Sequence, residues 1–155
     1  RSARRRPSVR PVPGAAGGVS DAEELVRRLF DAHNRGGGDA LFEIYDDLFD
    51  ADAEWKPLIV GVVGFPERVS YSGRAGMERY YRERGEAFAG GEVHIRSLEP
   101  HGDAVVVDAR STARGRVSGA NIEQDITLVY WVRNGKIVRG QAFRSRQEAL
   151  EAVDA

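Results

Sequence analysis

The chemistry open to this chain is narrowed first by what it lacks. There is no cysteine among its 155 residues, which removes thiolate nucleophiles, disulfides and thiolate metal sites. The three histidines, His33, His94 and His101, share no ligand spacing with carboxylates, so no metal is expected. Gly36-Gly37-Gly38 lacks a preceding strand and a following Lys-Ser/Thr, so it is not a phosphate cradle and no cofactor is implied. What remains is acid/base and hydrogen-bonding chemistry by side chains. The candidates are Lys56, beside Pro57, and the polar residues Ser111, Gln124 and Gln141, together with the hydroxyls of Tyr71 and Tyr130. Asp108 and Arg110 stand at i,i+2, a strand spacing that puts both on one face.

Charge removes further classes. Five of the 23 basic residues are arginines within residues 1–20, which hold no acid; the other 135 residues carry 18 basic and 24 acidic groups, a net −6. An acidic body with a short basic tail has no broad basic face for phosphate, so no nucleic-acid partner is expected. The longest apolar run, Leu58 to Val63, contains a glycine and is far short of the roughly 20 residues that span a bilayer. No apolar segment follows the basic start, so neither a secretory signal nor a membrane partner is expected, and the location expected is cytoplasmic.

The elements that must position these residues read as follows. Residues 1–19, rich in Arg, Pro and Gly, form a flexible tail, and residues 20–155 a single domain. A capping box at Ser20 and Glu23 opens a helix with Leu25, Val26, Leu29 and Phe30 on its apolar stripe. His33 lies near that helix's end, where a cation complements the dipole. A second helix starts after Asp39, carrying Leu41, Ile44, Tyr45 and Leu48. A short strand covers Ala53 to Lys56, and Pro57 to Ser72 is a long apolar loop of the kind that often serves as a lid. A third helix, about Arg74 to Phe88, puts Met77, Tyr80, Tyr81 and Arg84 on one face.

From Glu92 the period becomes two. Val93–Glu99, Ala104–Ala113, Asn121–Arg133 and Lys136–Arg144 alternate as antiparallel strands, with a two-residue turn at Asn134-Gly135. A second capping box, Ser145 and Glu148, opens a final helix. Helices segregated from a meander give an α+β fold.

Register follows from the apolar faces, since a one-residue slip inverts every side chain. Ala109 is expected opposite Ile126, Ser111 opposite Gln124, and Arg110 opposite Asp125. The tight turn at Asn134-Gly135 then sets Ile126 beside Phe143, Leu128 beside Gln141, and Asp125 beside Arg144. The inner face carries Ser111, Gln124, Gln141 and Arg139 among apolar residues. Such polar groups need partners, which a ligand, mutual hydrogen bonds or helix backbone would each supply. The outer face sets Asp125 between Arg110 and Arg144, and beyond them shows Val106, Val129, Trp131 and Val138.

Taken together, Gly38-Asp39-Ala40-Leu41 leading to Asp52-Ala53-Glu54-Trp55, then Tyr71-Ser72-Gly73-Arg74-Ala75-Gly76, Asn134-Gly135-Lys136-Ile137-Val138 and Arg146-Gln147-Glu148-Ala149-Leu150-Glu151 resemble the SnoaL-like branch of the nuclear transport factor 2-like superfamily, over about residues 20–153. The resemblance implies a conical curved antiparallel sheet wrapped around N-terminal helices, with a pocket at its open end and a dimeric assembly. Relatives include ketosteroid isomerase, polyketide cyclases, limonene epoxide hydrolase and scytalone dehydratase, so the fold alone does not decide function. In the isomerase the base precedes a proline at the end of the first strand; here that residue is Lys56. Asp108 and Arg110 match the spacing of the hydrolase pair, but the register turns them outward.

Two readings follow. In one, Trp55, Tyr71, Ser111, Gln124, Tyr130, Gln141 and Phe143 line a pocket for a small hydrophobic molecule, with cofactor-free isomerase-, cyclase- or hydrolase-like chemistry. A carboxylate such as Glu54, Glu99 or Glu123 inside the pocket would supply the base. In the other, the chain is a non-catalytic dimeric binding or interaction module. A homodimer is expected through Arg110, Asp125, Val129, Trp131, Val138 and Arg144, because an apolar patch with a tryptophan rimmed by charge reads as an interface. Sedimentation at micromolar concentration should then show dimer; monomer alone removes that interface.

Overall fold

In the computed structural model the chain is described over residues 15–58 and 70–155, with side chains from residue 21 onward. Most of the Arg-rich tail and residues 59–69 of the expected loop lie outside the described residues. The elements run α1 (Ala15–Glu43), α2 (Tyr45–Leu48), β1 (Phe49–Lys56), β2 (Tyr71–Ser72), α3 (Gly73–Ala87), β3 (Phe88–His101), β4 (Ala104–Gly115), β5 (Asn121–Arg133), β6 (Lys136–Phe143) and α4 (Arg146–Asp154). One six-stranded sheet takes the order β2-β1-β6-β5-β4-β3. It is curved and unclosed, and the fold is α+β, as expected. The pairing is antiparallel except between β1 and β6, which are parallel, a join that the reading of strands as a meander did not include.

α1 is already helical at Ala15, so Ser20 lies inside it rather than at its cap. Gly36 (φ −154°, ψ 18°) and Gly37 (φ 61°, ψ −140°) interrupt it where the triple glycine predicts a break, since the left-handed backbone at Gly37 suits only a residue without Cβ. Upstream of the break, Leu25, Val26, Leu29 and Phe30 are buried; downstream, Leu41, Tyr45 and Leu48 are. Asn134 (φ 55°) and Gly135 (φ 75°) adopt the two positive φ values of a type I′ hairpin turn. β3 begins at Phe88, five residues before its expected start, because Gly90 and Gly91 (φ 69° and 129°) let the strand bulge and bend.

The β4–β5 register agrees with the sequence reading along its whole length, with Ala109 opposite Ile126, Ser111 opposite Gln124, and Arg110 opposite Asp125. The β5–β6 register does not. It starts as expected at Arg133–Lys136 and Val132–Ile137, then shifts so that Trp131 meets Arg139 and Leu128 meets Ala142. Val138 is the extra residue, and a bulged residue reverses the alternation beyond it. Gly140 and Ala142 therefore join the inner face, while Gln141 and Phe143 turn outward.

Outside, α4 lies on the sheet. Ser145 caps it, accepting from the Glu148 amide at 3.1 Å. Ala149 packs with Ala104, Val106, Val129 and Phe143, all buried. Part of the apolar patch assigned to an interface is thus covered by the chain's own helix: Val106 and Val129 are fully buried, and Trp131 is covered on one side by the Arg139 guanidinium, 4.4 Å from its ring centre. Burying one valine contributes about 1.5–3 kcal/mol, reason enough for the chain to close this face itself.

On the inner face, Gly140 is the register partner of both Tyr130 and Trp55. A Cβ there would stand 2.7 Å from Tyr130 Cε1 and 3.1 Å from Trp55 Cε3. Gly140→Ala should therefore destabilise the protein by about 1–3 kcal/mol, the cost of overpacking. Thermal denaturation should show a fall of about 2–4 °C for each kcal/mol.

Candidate functional site

The space between the curved sheet and the helices is a cavity of about 180 Å³, large enough for an organic molecule rather than a single water. Its walls are mostly apolar and aromatic. Tyr130 lies parallel to Trp55 (3° between planes, centroids 6.3 Å apart) and edge-on to Phe30. Tyr80 meets Trp55 edge-on from α3. Burial raises the pKa of the Tyr80 and Tyr130 hydroxyls, so both remain protonated at neutral pH.

Of the residues that the sequence assigns to a pocket, Trp55, Ser111, Gln124 and Tyr130 line this cavity. Gln124 is exposed at the rim, opposite Ser111, so water satisfies its amide. Tyr71, Gln141 and Phe143 do not line it. The Tyr71 hydroxyl donates to Glu83 Oε1 at 2.6 Å. The Val138 bulge turns the other two outward: Gln141 accepts from Arg139 Nη2 at 2.8 Å, and Phe143 packs beneath α4.

Two polar wall residues were not singled out as site residues from sequence. His33 continues the stripe of Val26, Leu29 and Phe30 at i+3 and i+4 spacing, a signal that places it on the buried side of α1. It is 8% exposed, its Nδ1 lies 2.7 Å from the Tyr81 hydroxyl, and its Nε2 is buried with no hydrogen-bond partner. Burial, with a smaller contribution from the nearby Arg84 cation, lowers its pKa to about 4. At neutral pH His33 is therefore an uncharged imidazole, not the helix-end cation expected. The next residue, Asn34, ties α1 to β3, its amide donating to Val93 O and its carbonyl accepting from Val93 N, both at 2.8 Å. Arg84, from the expected face of α3, is the second.

Carboxylates behave differently. Glu54 touches the wall, but its register partners are Ser72 and Arg139, whereas Trp55 pairs with Tyr71 and Gly140. Because alternate residues face opposite sides, Trp55 is the inward residue of the two. Lys56, opposite Gln141, shares the outer register of Glu54. Glu99 and Glu123 lie outside the cavity. Asp108 accepts from Thr127 Oγ1 (3.1 Å), Ser97 Oγ (3.1 Å) and Arg146 Nη1 (2.8 Å), while Arg146 also holds Glu99. Arg110 bonds Glu123 and, at 3.2 Å, Asp125; Arg96 reaches Asp125 at 3.0 Å. Asp108 and Arg110 thus face outward, as their register predicts, and Arg96 takes the place expected for Arg144, which the β6 bulge moves out of line and leaves exposed. Among the described residues no group of three or more His, Asp or Glu is arranged to hold a metal ion, and no helix is long and apolar enough to cross a membrane.

Residues 26–140 match the sequence pattern of the SnoaL-like domain. No curated protein matches the chain in sequence. Among solved structures, TerC co-crystallised with polyporic acid aligns with a TM-score of 0.68 at 16% identity, over 87% of this chain and 99% of that one. A SnoaL-like polyketide cyclase, so named provisionally, from Jannaschia sp. CCS1 aligns with a TM-score of 0.68 at 18% identity, over 94% and 97%. A hypothetical protein of ketosteroid isomerase-like fold from Catenulispora acidiphila DSM 44928, in complex with trimethylamine, aligns with a TM-score of 0.63 at 18% identity, over 84% and 92%. At these identities the likeness establishes a shared fold.

The buried imidazole makes acid stability a direct readout of this site. A pKa lowered from 6.5 to about 4 on folding means that between those values the unfolded chain binds a proton that the folded chain refuses. His33 therefore costs nothing above pH 6.5, and its penalty grows as pH falls toward 4, reaching about 3 kcal/mol at ~1.4 kcal/mol per pKa unit. Urea unfolding from pH 7 to pH 4 should show this loss for the wild type, and a slope shallower by that amount for His33→Phe.

Proposed function

The chain belongs to the SnoaL-like domain family, and from that premise we propose that it binds a small, largely hydrophobic molecule inside the cone, with one polar atom of that molecule held by His33. The observation that carries this reading is the buried, unpartnered Nε2 of His33 in the wall of an aromatic cavity. A buried polar atom left unpaired costs about 1–3 kcal/mol, and a ligand atom removes that cost. A neutral imidazole donates from one nitrogen and accepts at the other. When the Tyr81 hydroxyl donates to Nδ1, Nε2 carries the proton and donates to a ligand carbonyl or phenolic oxygen. Polyporic acid on TerC and trimethylamine on the Catenulispora protein support small molecules as the ligand class for this fold.

As for chemistry, the site favours binding, and polarisation of a bound carbonyl by a neutral donor, over proton abstraction by a carboxylate. Glu54 stands in the outer register, and Lys56 occupies the position that a base would take before Pro57. A protonated tyrosine, a neutral histidine and flat apolar walls can stabilise charge developing on a ligand oxygen where water is scarce. Cyclase- or isomerase-like turnover on this site would draw its proton transfers from the His33–Tyr81 pair.

A thermal-shift screen with steroids, polyketide fragments and terpene epoxides tests the reading. A true ligand at a hundred times its Kd should stabilise the wild type by about 2.7 kcal/mol. The gain should fall markedly in His33→Phe and only slightly in Gln124→Leu, at the rim. Absence of stabilisation by all three classes would remove the reading.

A further inference from the structure

Arg84 brings a full positive charge to the same cavity, and no carboxylate is paired with it: Glu54, the one carboxylate among the described residues that touches the wall, stands in the outer register of β1. Three arginines on the surface are matched by acids: Arg146 by Glu99 and Asp108, Arg110 by Glu123 and Asp125, and Arg74 by Asp46 and Glu78. Among the described residues, Arg84 has no Asp or Glu within ion-pair distance. Its guanidinium instead lies 3.4 Å (Nη1) from the Gly90 carbonyl, 5.9 Å from the centre of the Phe88 ring, and beside the Tyr80 hydroxyl. The backbone makes room for it: a Cβ on Gly91 would stand 2.3 Å from Arg84 Nη2. Arg84 is half-buried at the cavity wall, and an arginine presents a planar fork of donors matched to a carboxylate or another ionised oxygen.

We infer that the molecule the cavity takes is an anion: a flat, largely aromatic compound ionised at one oxygen, as a carboxylate, enolate or phenolate, with that oxygen against Arg84 and its rings against Trp55 and Tyr130. This rests on the ligand-binding reading given above. His33 is uncharged and contributes a dipole, so the charge selection belongs to Arg84. The net −6 of residues 21–155 gives no long-range attraction for an anion, which leaves the selection to this one contact.

Isothermal titration with a matched pair of probes, 1-naphthoate and its neutral analogue 1-naphthamide, tests the inference on the wild type, Arg84→Met and Arg84→Lys at neutral pH and low salt. The wild type should bind naphthoate roughly tenfold tighter than naphthamide. Arg84→Met should lose that preference and bind the two probes alike, and Arg84→Lys should keep part of it. If Arg84→Met does not fold, Arg84→Gln, uncharged but still a donor toward Gly90, takes its place. Equal binding of the two probes by the wild type, or a preference that survives the loss of charge, overturns the inference while leaving the ligand-binding reading standing. Failure of both probes to bind overturns both. A compound larger than naphthoate that ionises at a phenol, compared with its methyl ether, separates phenolate from carboxylate recognition.

Discussion

The interior of this protein depends on a side chain that is not there. Trp55 from β1 and Tyr130 from β5 approach each other across β6, with only Gly140 between their backbones, and ring atoms of both occupy the space that any Cβ would fill. Two large rings can lie parallel and flank one cavity because the strand between them contributes no bulk. Sheet pleating alone would not put a glycine there. The Val138 bulge does, by shifting β6 one residue against β5 and bringing Gly140 and Ala142 to the concave side. A small extra length of backbone thus sets the width of the cavity and the identity of its walls.

The same bulge shapes the convex side. Phe143, turned outward, joins Val106 and Val129 in a second apolar cluster that α4 covers. α4 is in turn anchored at its first residue, where Arg146 spans Glu99 and Asp108. The outer surface is therefore divided between a patch closed by the chain's own helix and an exposed ladder of Arg96, Asp125, Arg110 and Glu123. Exposed pairs of this kind contribute little stability each; they run across β3, β4 and β5.

Inside, polarity is sparse, and it is arranged by which element supplies it. The sheet contributes mostly rings and aliphatic side chains, with Ser111 beside Gln124 at the rim, whereas the helices contribute His33, Tyr80, Tyr81 and Arg84. Burial keeps His33 neutral and the tyrosines protonated, so Arg84 brings the one formal charge that the helices set in the wall. Asn34 fixes this arrangement by pairing its side-chain amide with the backbone of Val93, so that the helix carrying His33 and the edge strand β3 cannot separate without losing two part-buried hydrogen bonds.

Much of this was legible in the chain alone. The change of period from 3.6 to two separated helices from sheet, the triple glycine placed the break in α1, and Asn134-Gly135 placed the hairpin. Apolar alternation was enough to set the β4–β5 register residue by residue, which is why Asp108 and Arg110 could be read as outward-facing. These features are local, or depend on one pair of neighbouring strands. The bulge at Val138, the parallel join of β1 to β6, and the depth of burial that keeps His33 uncharged were decided by tertiary packing. In each case the local signal fits two arrangements, a tight hairpin or a bulged one, a helix-end cation or a buried imidazole. The choice falls to whichever lets Trp55, Tyr130 and the helices pack around the concave side, a constraint that exists only once strands distant in sequence are side by side.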